Sequence, residues 1–368
     1  MPTEARIAIL SKGERRVHVE AVTLPDPGPH QVVVKIFATG LCHSQIHEIA
    51  EERRSDIALG HEATGDITAI GSAVSHVGVG DRVIVGGIAR TVDAPTRRPE
   101  VATVLRKNGR VAISQGVYTW ADHALLDELY VVKVPKETKP DVTCIVGCAV
   151  MTGAGAVVNT ADVKAGQSVA VFGAGGVGLC TIAAARIVGA TPIIAVDLDS
   201  DKLDAARRHG ATHLIDASRE DPVERIRTLT TSDQALDMSG LPVCGVDVAF
   251  DCIGTEQTAR QILPAARTKP LGGEGGSQAI LVGIPDTEFP VSPLDLFVHE
   301  KRLTGSLAGS CRPDRDVPRF LEWAARGELD LEALVTRRYA LDEINEGIAA
   351  LAAGQIEGRA IVTCPGPP

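Results

Sequence analysis

The sequence lacks a surplus of positive charge, since its 37 basic and 47 acidic residues give a net charge of −10. This balance argues against nucleic acid and anionic membrane surfaces as main partners. The first residues lack the charged region and apolar core of a secretory signal, so we expect no export signal there. The apolar run from Val169 to Ala185 is interrupted by glycines. It therefore predicts a buried strand, turn and helix rather than a membrane span.

The eight cysteines lack the spacing of a disulfide framework, and no paired CxxC elements of a closed structural zinc site are present. In a chain of 368 residues, they are typical of the reduced thiols of a cytoplasmic protein. The sequence also lacks fixed-period repeats and low-complexity segments. Its length favours two domains.

Two patterns follow one another along the chain. Residues 1–150 contain short β-like runs separated by glycine and proline, which predict a strongly bent β region. From about residue 151, apolar strands alternate with helical stretches, a pattern typical of a parallel sheet covered on both faces. The β-rich pattern returns after about Gly305. We therefore predict a β-rich domain from residues 1–150 and 306–368, and a cofactor domain from residues 151–305.

A glycine-rich turn is the clearest local motif. Gly173-Ala174-Gly175-Gly176-Val177-Gly178 follows the predicted strand Ser168–Phe172 and precedes an apolar helix. Such glycines permit a tight turn, close backbone approach to a pyrophosphate, and helix–strand contact, while the helix N-terminus faces the phosphates. Asp197 ends the next predicted strand, where a carboxylate can accept hydrogen bonds from a ribose 2′-hydroxyl. Because Asp197 would repel a 2′-phosphate, we predict NAD rather than NADP.

Cys42, His61 and Cys148 lie in three separate segments. A single cysteine or histidine is more often a core residue than a metal ligand. Together, however, two thiolates and one imidazole form the Cys₂His set that leaves a fourth zinc position open for substrate.

These motifs and their order resemble the zinc-dependent alcohol dehydrogenases of the medium-chain dehydrogenase/reductase superfamily. The matching stretches cover nearly the whole chain and are GLCHSQIH (40–47), GHEATG (60–65), the turn 78–81, VGCAVMTGAGAV (146–157), FGAGGVG (172–178), the strand end with Asp197 and Lys202, and INEGIAALAAGQIEGRAIV (344–362). The resemblance implies an α/β fold with a doubly wound, parallel-sheet Rossmann domain and a β-rich, GroES-like catalytic domain. It also implies NAD-dependent oxidation of an alcohol to an aldehyde or ketone.

The resemblance further implies a role for each matching residue. The implied ligands of one catalytic zinc ion are Cys42, His61 and Cys148. The implied catalytic group comprises Ser44 and His47 as a proton relay, and Glu62 beside the metal. The implied NAD contacts are His43 and Arg359 at the pyrophosphate, Thr152, Val177 and Val282 at the nicotinamide, and Gly173, Gly175, Gly176, Gly178, Asp197 and Lys202 in the Rossmann motif. These residue types suit the reaction, because zinc is a Lewis acid and a hydroxyl with a titratable imidazole can carry the released proton away.

Two departures from the family pattern stand out. Many members hold a second, structural zinc with four closely spaced cysteines, whereas residues 86–116 contain none. We therefore expect one zinc ion per chain and a solvated, partly basic loop there. Gln45 stands where relatives commonly have an aspartate that supports the zinc-bound histidine. We expect its amide oxygen to accept the same hydrogen bond without the charge.

Two alternative functions remain open from the sequence. One is a reductase of an activated C=C, C=N or aldehyde group, although the pair Ser44 and His47 favours alcohol–carbonyl interconversion. The other is a dinucleotide-sensing or scaffolding protein, which the intact ligand and glycine motifs disfavour. The substrate is not readable from the sequence. By resemblance, we expect a dimer or tetramer that pairs through residues 290–298.

Overall fold

The computed structural model describes residues 3–90, 97–285 and 288–364. The chain forms two compact units, which we call the split unit (Met1–Ala149 with Arg312–Pro368) and the central unit (Val150–Cys311). The predicted domain limits at 150/151 and 305/306 lie close to these boundaries and stay predictions. No helix among the described residues is both long and apolar enough to cross a membrane.

The strands are short, as the spacing of glycine and proline predicts. In chain order the described strands are β1 (Thr3–Leu10), β2 (His18–Leu24), β3 (Gln31–Leu41), β4 (Asp56–Ala58), β5 (Glu62–Ile70), β6 (Arg82–Gly86), β7 (Thr103–Leu105), β8 (Val111–Ile113), β9 (His123–Asp127), β10 (Val131–Lys133), β11 (Val169–Phe172), β12 (Ile193–Asp197), β13 (His213–Asp216), β14 (Val248–Asp251), β15 (Gln278–Leu281), β16 (Arg302–Gly305), β17 (Val335–Ala340) and β18 (Arg359–Thr363).

The helices lie mainly in the central unit and in the last part of the chain. The described α-helices are α1 (His43–Ala50), α2 (Ala149–Gly155), α3 (Gly176–Ile187), α4 (Ser200–His209), α5 (Pro222–Thr230), α6 (Glu256–Ala265), α7 (Pro293–Val298), α8 (Pro313–Ala325), α9 (Leu331–Leu334) and α10 (Ile344–Ala352).

The split unit contains two sheets. One has the order β2-β1-β4-β8-β7, and the other has the order β10-β6-β5-β3-β18-β17, with β9 also pairing with β3. Strand β18 is antiparallel to β3, so the end of the chain completes a sheet begun by its first part. This pairing is the physical reason for the β-rich pattern at both chain ends. A core of mainly aliphatic side chains, with the fully buried Tyr118 among them, lies against these sheets.

The central unit contains a parallel sheet with the order β13-β12-β11-β14-β15-β16. Strand β11 is fully buried and lies in the middle, with later strands added on either side. This is the doubly wound Rossmann arrangement, in which ligands bind beyond the carboxyl end of the strands where the strand order reverses. The predicted α/β fold class is confirmed.

Two basic residues of the cysteine-free stretch form ion pairs with acidic residues, whereas Arg98 and Lys107 are exposed as expected. Arg97 forms ion pairs with Asp127 and Glu128, and Arg106 forms ion pairs with Glu20 and Asp56. Arg106 is buried. The expectation of a solvated basic loop is therefore wrong for these two cations, because each one neutralises acidic groups of the β sheets. Residues 91–96 lie outside the described residues.

Candidate metal and cofactor sites

Three segments of the split unit bring two thiols and one imidazole together. Cys42 follows β3 and directly precedes α1, while His61 directly precedes β5. Strands β3 and β5 are antiparallel, so the end of one lies beside the start of the other. Cys148 follows a short helical turn, Val142–Gly147. One ligand atom from each of Cys42, His61 and Cys148 lies within 4.8 Å of the other two.

The distances within this triad are those of polar contacts. The two sulfurs are 4.0 Å apart, and Nε2 of His61 is 3.2 Å from Sγ of Cys148. The hydrogen bond from Cys148 lowers the pKa of the Cys42 thiol well below its usual range. The same contact, together with burial, raises the pKa of Cys148. Burial opposes protonation of His61, but the hydrogen bond to Cys42 raises its pKa overall.

This donor set fits a zinc ion. Zinc prefers thiolate and imidazole ligands in a tetrahedral arrangement, and three protein ligands leave one position for substrate. Two neighbouring thiolates would repel each other unless a positive charge lay between them. Here the two sulfurs contact each other, and Cys148 also contacts His61. A divalent cation would supply that charge and release the protons. The triad therefore matches the predicted ligands and the chemistry of a catalytic zinc site.

Gln45 lies in α1, one turn after Cys42, and is buried. Its amide oxygen accepts a hydrogen bond of 3.1 Å from the backbone N–H of Cys42, and its amide nitrogen contacts Nδ1 of His61. The expected hydrogen bond from the zinc-bound histidine to the amide oxygen stays a prediction, because here that oxygen accepts from Cys42. With the amide nitrogen against Nδ1, the ring proton belongs on Nε2. To coordinate a metal through Nε2, His61 must carry its ring proton on Nδ1 instead. The amide oxygen of Gln45 must then face Nδ1 to accept a hydrogen bond from it.

Glu62 and Arg359 form a buried ion pair beside the triad. The second carboxylate oxygen of Glu62 accepts a hydrogen bond of 3.2 Å from the backbone of Ala149. Burial raises the pKa of Glu62, although the charge of Arg359 opposes this. Gly40 makes room for the pair, because a Cβ there would lie 2.0 Å from the Glu62 carboxylate. The guanidinium of Arg359 is thus engaged within the split unit, and its pyrophosphate contact stays a prediction.

The predicted relay residues lie on α1 at positions three apart, which places them on one face of the helix. The Ser44 hydroxyl is buried and has no hydrogen-bond partner among the described residues. His47 is exposed, as is His43 at the start of the helix. An unpartnered buried hydroxyl beside metal ligands fits a group that hydrogen-bonds to a bound substrate or cofactor.

In the central unit the glycine motif forms the turn between β11 and α3. Gly173 has a φ of +95°, which an L side chain rarely adopts. A Cβ on Gly178 would lie 1.7 Å from the carbonyl oxygen of Gly173, so only glycine permits this contact. Gly175 caps α3 without a side-chain hydrogen bond, leaving the N–H groups of the first turn available for an anion.

Asp197 ends β12 beside this turn, and its carboxylate accepts hydrogen bonds from the backbone of Ala174 at 2.7 Å, Leu198 at 2.8 Å and Asp199 at 3.1 Å. A carboxylate accepts about four hydrogen bonds, so one position remains for a ribose hydroxyl. The glycine turn and Asp197 are thus brought together as predicted for NAD.

Four further predicted NAD contacts lie in the central unit, whereas His43 and Arg359 lie in the split unit. Thr152 is in α2, Val177 is in the first turn of α3, Lys202 is in α4 and Val282 follows β15. The backbone N–H of Val282 donates to the carbonyl of Asp251 at 2.9 Å, which continues the sheet pairing by one residue. Their contacts with the nicotinamide or the ribose stay predictions.

Sequence reasoning missed the pairing of Glu62 with Arg359 and the position of Glu48. The pair joins residues 297 positions apart, and no local pattern signals it. Glu48 lies one turn after Gln45 on the same helix. Its spacing from Gln45 was the available signal, because residues three apart share a helix face.

Two family models match the chain. Residues 28–136 match the model described as alcohol dehydrogenase GroES-like domain. Residues 176–326 match the model described as zinc-binding dehydrogenase.

Two curated relatives span almost the same length as this chain. Alcohol dehydrogenase class-3 of Cereibacter sphaeroides is 30% identical over 96% of this chain and 98% of the relative. S-(hydroxymethyl)glutathione dehydrogenase of Paracoccus denitrificans is 30% identical over 95% of this chain and 97% of the relative.

Two solved structures share the fold over their full length. An alcohol dehydrogenase zinc-binding domain protein from Burkholderia ambifaria has a TM-score of 0.85 at 27% identity, covering 100% of both chains. Benzyl alcohol dehydrogenase from Acinetobacter calcoaceticus has a TM-score of 0.83 at 26% identity, covering 99% of this chain and 100% of that one.

Proposed function

The chain belongs to the zinc-dependent alcohol dehydrogenase family, and from that premise we propose that it oxidises an alcohol to an aldehyde or ketone with NAD as the hydride acceptor. The observation that carries the proposal is the Cys42, His61 and Cys148 triad, whose ligand atoms lie within 4.8 Å of one another. The names of the curated relatives support alcohol oxidation. They do not support the alternative of a reductase for an activated double bond.

The three triad residues would hold one zinc ion. When bound, zinc supplies a Lewis acid that lowers the pKa of an alcohol, and NAD supplies the hydride acceptor. The buried pair of Glu62 and Arg359 places balanced charges beside the two thiols. The charge of Arg359 also favours the thiolate form of Cys42, which is the form that binds metal.

Alcohol oxidation removes a hydride from carbon and a proton from oxygen, and the proton needs a route to solvent. We assign the first part of this route to the buried Ser44 hydroxyl, which has no partner among residues 3–90, 97–285 and 288–364. His47 follows one turn later and is exposed. An imidazole there can exchange the proton with water near neutral pH.

The central unit is proposed to bind NAD through the glycine turn, with its pyrophosphate at the start of α3. Asp197 is proposed to accept hydrogen bonds from the adenosine ribose. We also assign zinc binding and catalysis to a domain of residues 1–150 and 306–368, and NAD binding to residues 151–305.

We further propose that the protein works in the cytoplasm as a dimer or tetramer. The eight cysteines, all of which lie among the described residues, form no disulfide with one another, which suits a reducing compartment. Helix α7 presents Leu294, Leu296 and Phe297 to solvent, and Phe297 is 84% exposed. Such a patch is typical of a protein–protein contact. Light scattering measures the particle mass of Phe297→Glu. If the chains pair through this patch, the variant should have a smaller mass than the wild type.

A substrate screen tests the proposed reaction. Zinc-loaded protein is given aliphatic, aryl and polyhydric alcohols with NAD or with NADP, and kcat/KM is measured from the formation of reduced cofactor. We expect turnover of at least one alcohol class and a preference for NAD. Failure to oxidise any alcohol, combined with reduction of an activated C=C bond, would contradict the proposal.

Paired cysteine variants provide the control. Cys148→Ala removes a proposed ligand, and Cys144→Ala removes a buried thiol four residues away that is outside the triad. We expect zinc binding and turnover to be lost in the first variant and kept in the second. Equal behaviour of the two variants would refute the ligand assignment.

A further inference from the structure

A second polar feature lies in the split unit, near the triad but separate from it. A cavity of about 270 Å³ lies between the C-terminal end of α1, the chain that follows it, and the end of β8. Its charged lining residues are Glu48, Glu51, Arg53 and Arg54. The walls combine these charged groups with neutral polar groups and a small apolar surface.

The carboxylate of Glu48 is the unusual group in this cavity. It is half-buried, and no described residue forms a hydrogen bond or ion pair with it. Burial raises the pKa of Glu48 to about 7, with His61 opposing the shift and Cys42 adding to it. The charge of the nearby Arg53 opposes this shift only in part, and its guanidinium donates to the backbone carbonyls of Glu48, Ile49 and Glu51 rather than to the carboxylate. Neither carboxylate oxygen is among the fully buried polar atoms, so both can accept a hydrogen bond from a donor that enters the cavity.

Glu48 lines the cavity and lies on the same helix as Gln45, which contacts the triad. Gln45 contacts His61, and Glu48 follows Gln45 by three residues on the same face of α1. Helical side chains tilt toward the helix N-terminus, so Glu48 leans toward the end at which Cys42 lies. The influence of His61 and Cys42 on its pKa is consistent with this placement.

We propose that Glu48 determines substrate specificity, by accepting a hydrogen bond from a second hydroxyl of the alcohol, and that the preferred substrates are therefore neutral diols or polyols. This inference rests on the proposed alcohol oxidation. A cationic substrate is disfavoured, since Arg53 and Arg54 line the same cavity and balance Glu48 and Glu51 in charge. The hydroxyls and the amide of Ser55, Ser114 and Gln115 in the lining also suit a neutral polar chain.

The test compares substrates that differ only at the second functional group. The probes are pentanol, the pentanediols with the second hydroxyl on each remaining carbon in turn, and aminopentanol. The variants are Glu48→Leu and Glu48→Gln, with Glu52→Leu as the control because Glu52 is exposed and lies outside the cavity lining. NADH formation gives kcat/KM for each probe, calorimetry gives binding without turnover, and circular dichroism checks folding.

We expect the wild type to prefer at least one pentanediol over pentanol. Glu48→Leu should lower kcat/KM and affinity for that pentanediol by about 10-fold or more, with little change for pentanol. Glu48→Gln should retain part of the preference, and Glu52→Leu all of it. Equal losses for pentanol and the pentanediol, no loss, or a preference for aminopentanol would overturn the inference.

Failure of the proposed reaction gives a different result. If no alcohol yields NADH, calorimetry still reports whether the wild type binds a pentanediol more tightly than pentanol and whether Glu48→Leu removes that difference. A retained, Glu48-dependent preference supports the inference without the reaction. Turnover with the same preference in the wild type and Glu48→Leu supports the reaction and rejects the inference.

Discussion

Replacing Gln45 with glutamate should strengthen zinc binding. Gln45 has one amide oxygen, and the backbone N–H of Cys42 already donates to it at 3.1 Å. Zinc coordination through Nε2 of His61 places a second N–H, on Nδ1, against the same side chain. The amide oxygen must then turn from Cys42 toward His61, or else the amide N–H₂ group faces the N–H of His61 and two donors lie against each other. In Gln45→Glu, the two carboxylate oxygens can accept both hydrogen bonds without movement.

The size of the effect follows from one unsatisfied hydrogen bond. Gln45 is 1% exposed, so water cannot replace the missing partner. A buried donor or acceptor without a partner costs about 1–3 kcal/mol, which corresponds to roughly 5- to 150-fold in metal affinity. Burial of the new carboxylate offsets part of this gain. We therefore expect zinc affinity to rise by about 10-fold, within the range known for groups that orient a ligating histidine.

Competition with a chromogenic chelator measures the zinc Kd of the wild type, Gln45→Glu and Gln45→Leu. Leucine removes the amide, so this control should bind zinc more weakly than the wild type. Circular dichroism of each variant checks the fold. Unchanged or weaker zinc binding in Gln45→Glu would refute the reasoning, because the amide would then satisfy both donors as well as a carboxylate does.

Three further predictions concern other parts of the chain. Gly178→Ala places a Cβ 1.7 Å from a carbonyl oxygen, so NADH affinity measured by fluorescence should fall at least about 10-fold; Gly305→Ala, whose Cβ meets no atom within 4 Å, should leave it unchanged. Asp197→Asn should lower the NAD-to-NADP ratio of kcat/KM by about 10-fold, since a neutral amide repels a 2′-phosphate less, and an unchanged ratio would argue against its ribose contact. Asp56 is buried, and hydrogen bonds from the backbone and from Arg106 outweigh burial and lower its pKa. A lowered pKa stabilises the fold above about pH 4 and loses this contribution as the pH falls. Asp56→Asn should thus cost about 3 kcal/mol of unfolding free energy near pH 7, with a smaller difference near pH 3 by denaturant titration.

Much of the fold was predictable because it depends on local patterns. Fully buried parallel strands give continuous apolar runs, and the predicted strand Ser168–Phe172 matches β11 within one residue. The mainly apolar segment Val246–Asp251 also predicts a strand, and it begins two residues before β14. Strand ends shift in this way because pairing with neighbouring strands, rather than composition, decides where a strand begins.

Contacts between distant residues were not predictable from one sequence. From the sequence we expected Arg106 to lie in a solvated loop. In the structure it forms ion pairs with Glu20 and Asp56, which are 86 and 50 positions away. The orientation of the Gln45 amide depends on its contacts with Cys42 and His61, which lie in different segments, so composition cannot reveal it. In contrast, the triad was predictable as a set because a family resemblance fixes its order along the chain.

Zinc titration tests the central claim most directly. Chelated, metal-free protein receives increasing zinc in the presence of NAD and an alcohol that the screen identifies, and the initial rate of NADH formation is recorded. We predict negligible activity without zinc and a linear rise that ends at one zinc ion per chain, with no rise in Cys148→Ala. Full activity in the metal-free protein, or an unchanged titration in Cys148→Ala, would contradict the assignment of the catalytic metal to this triad.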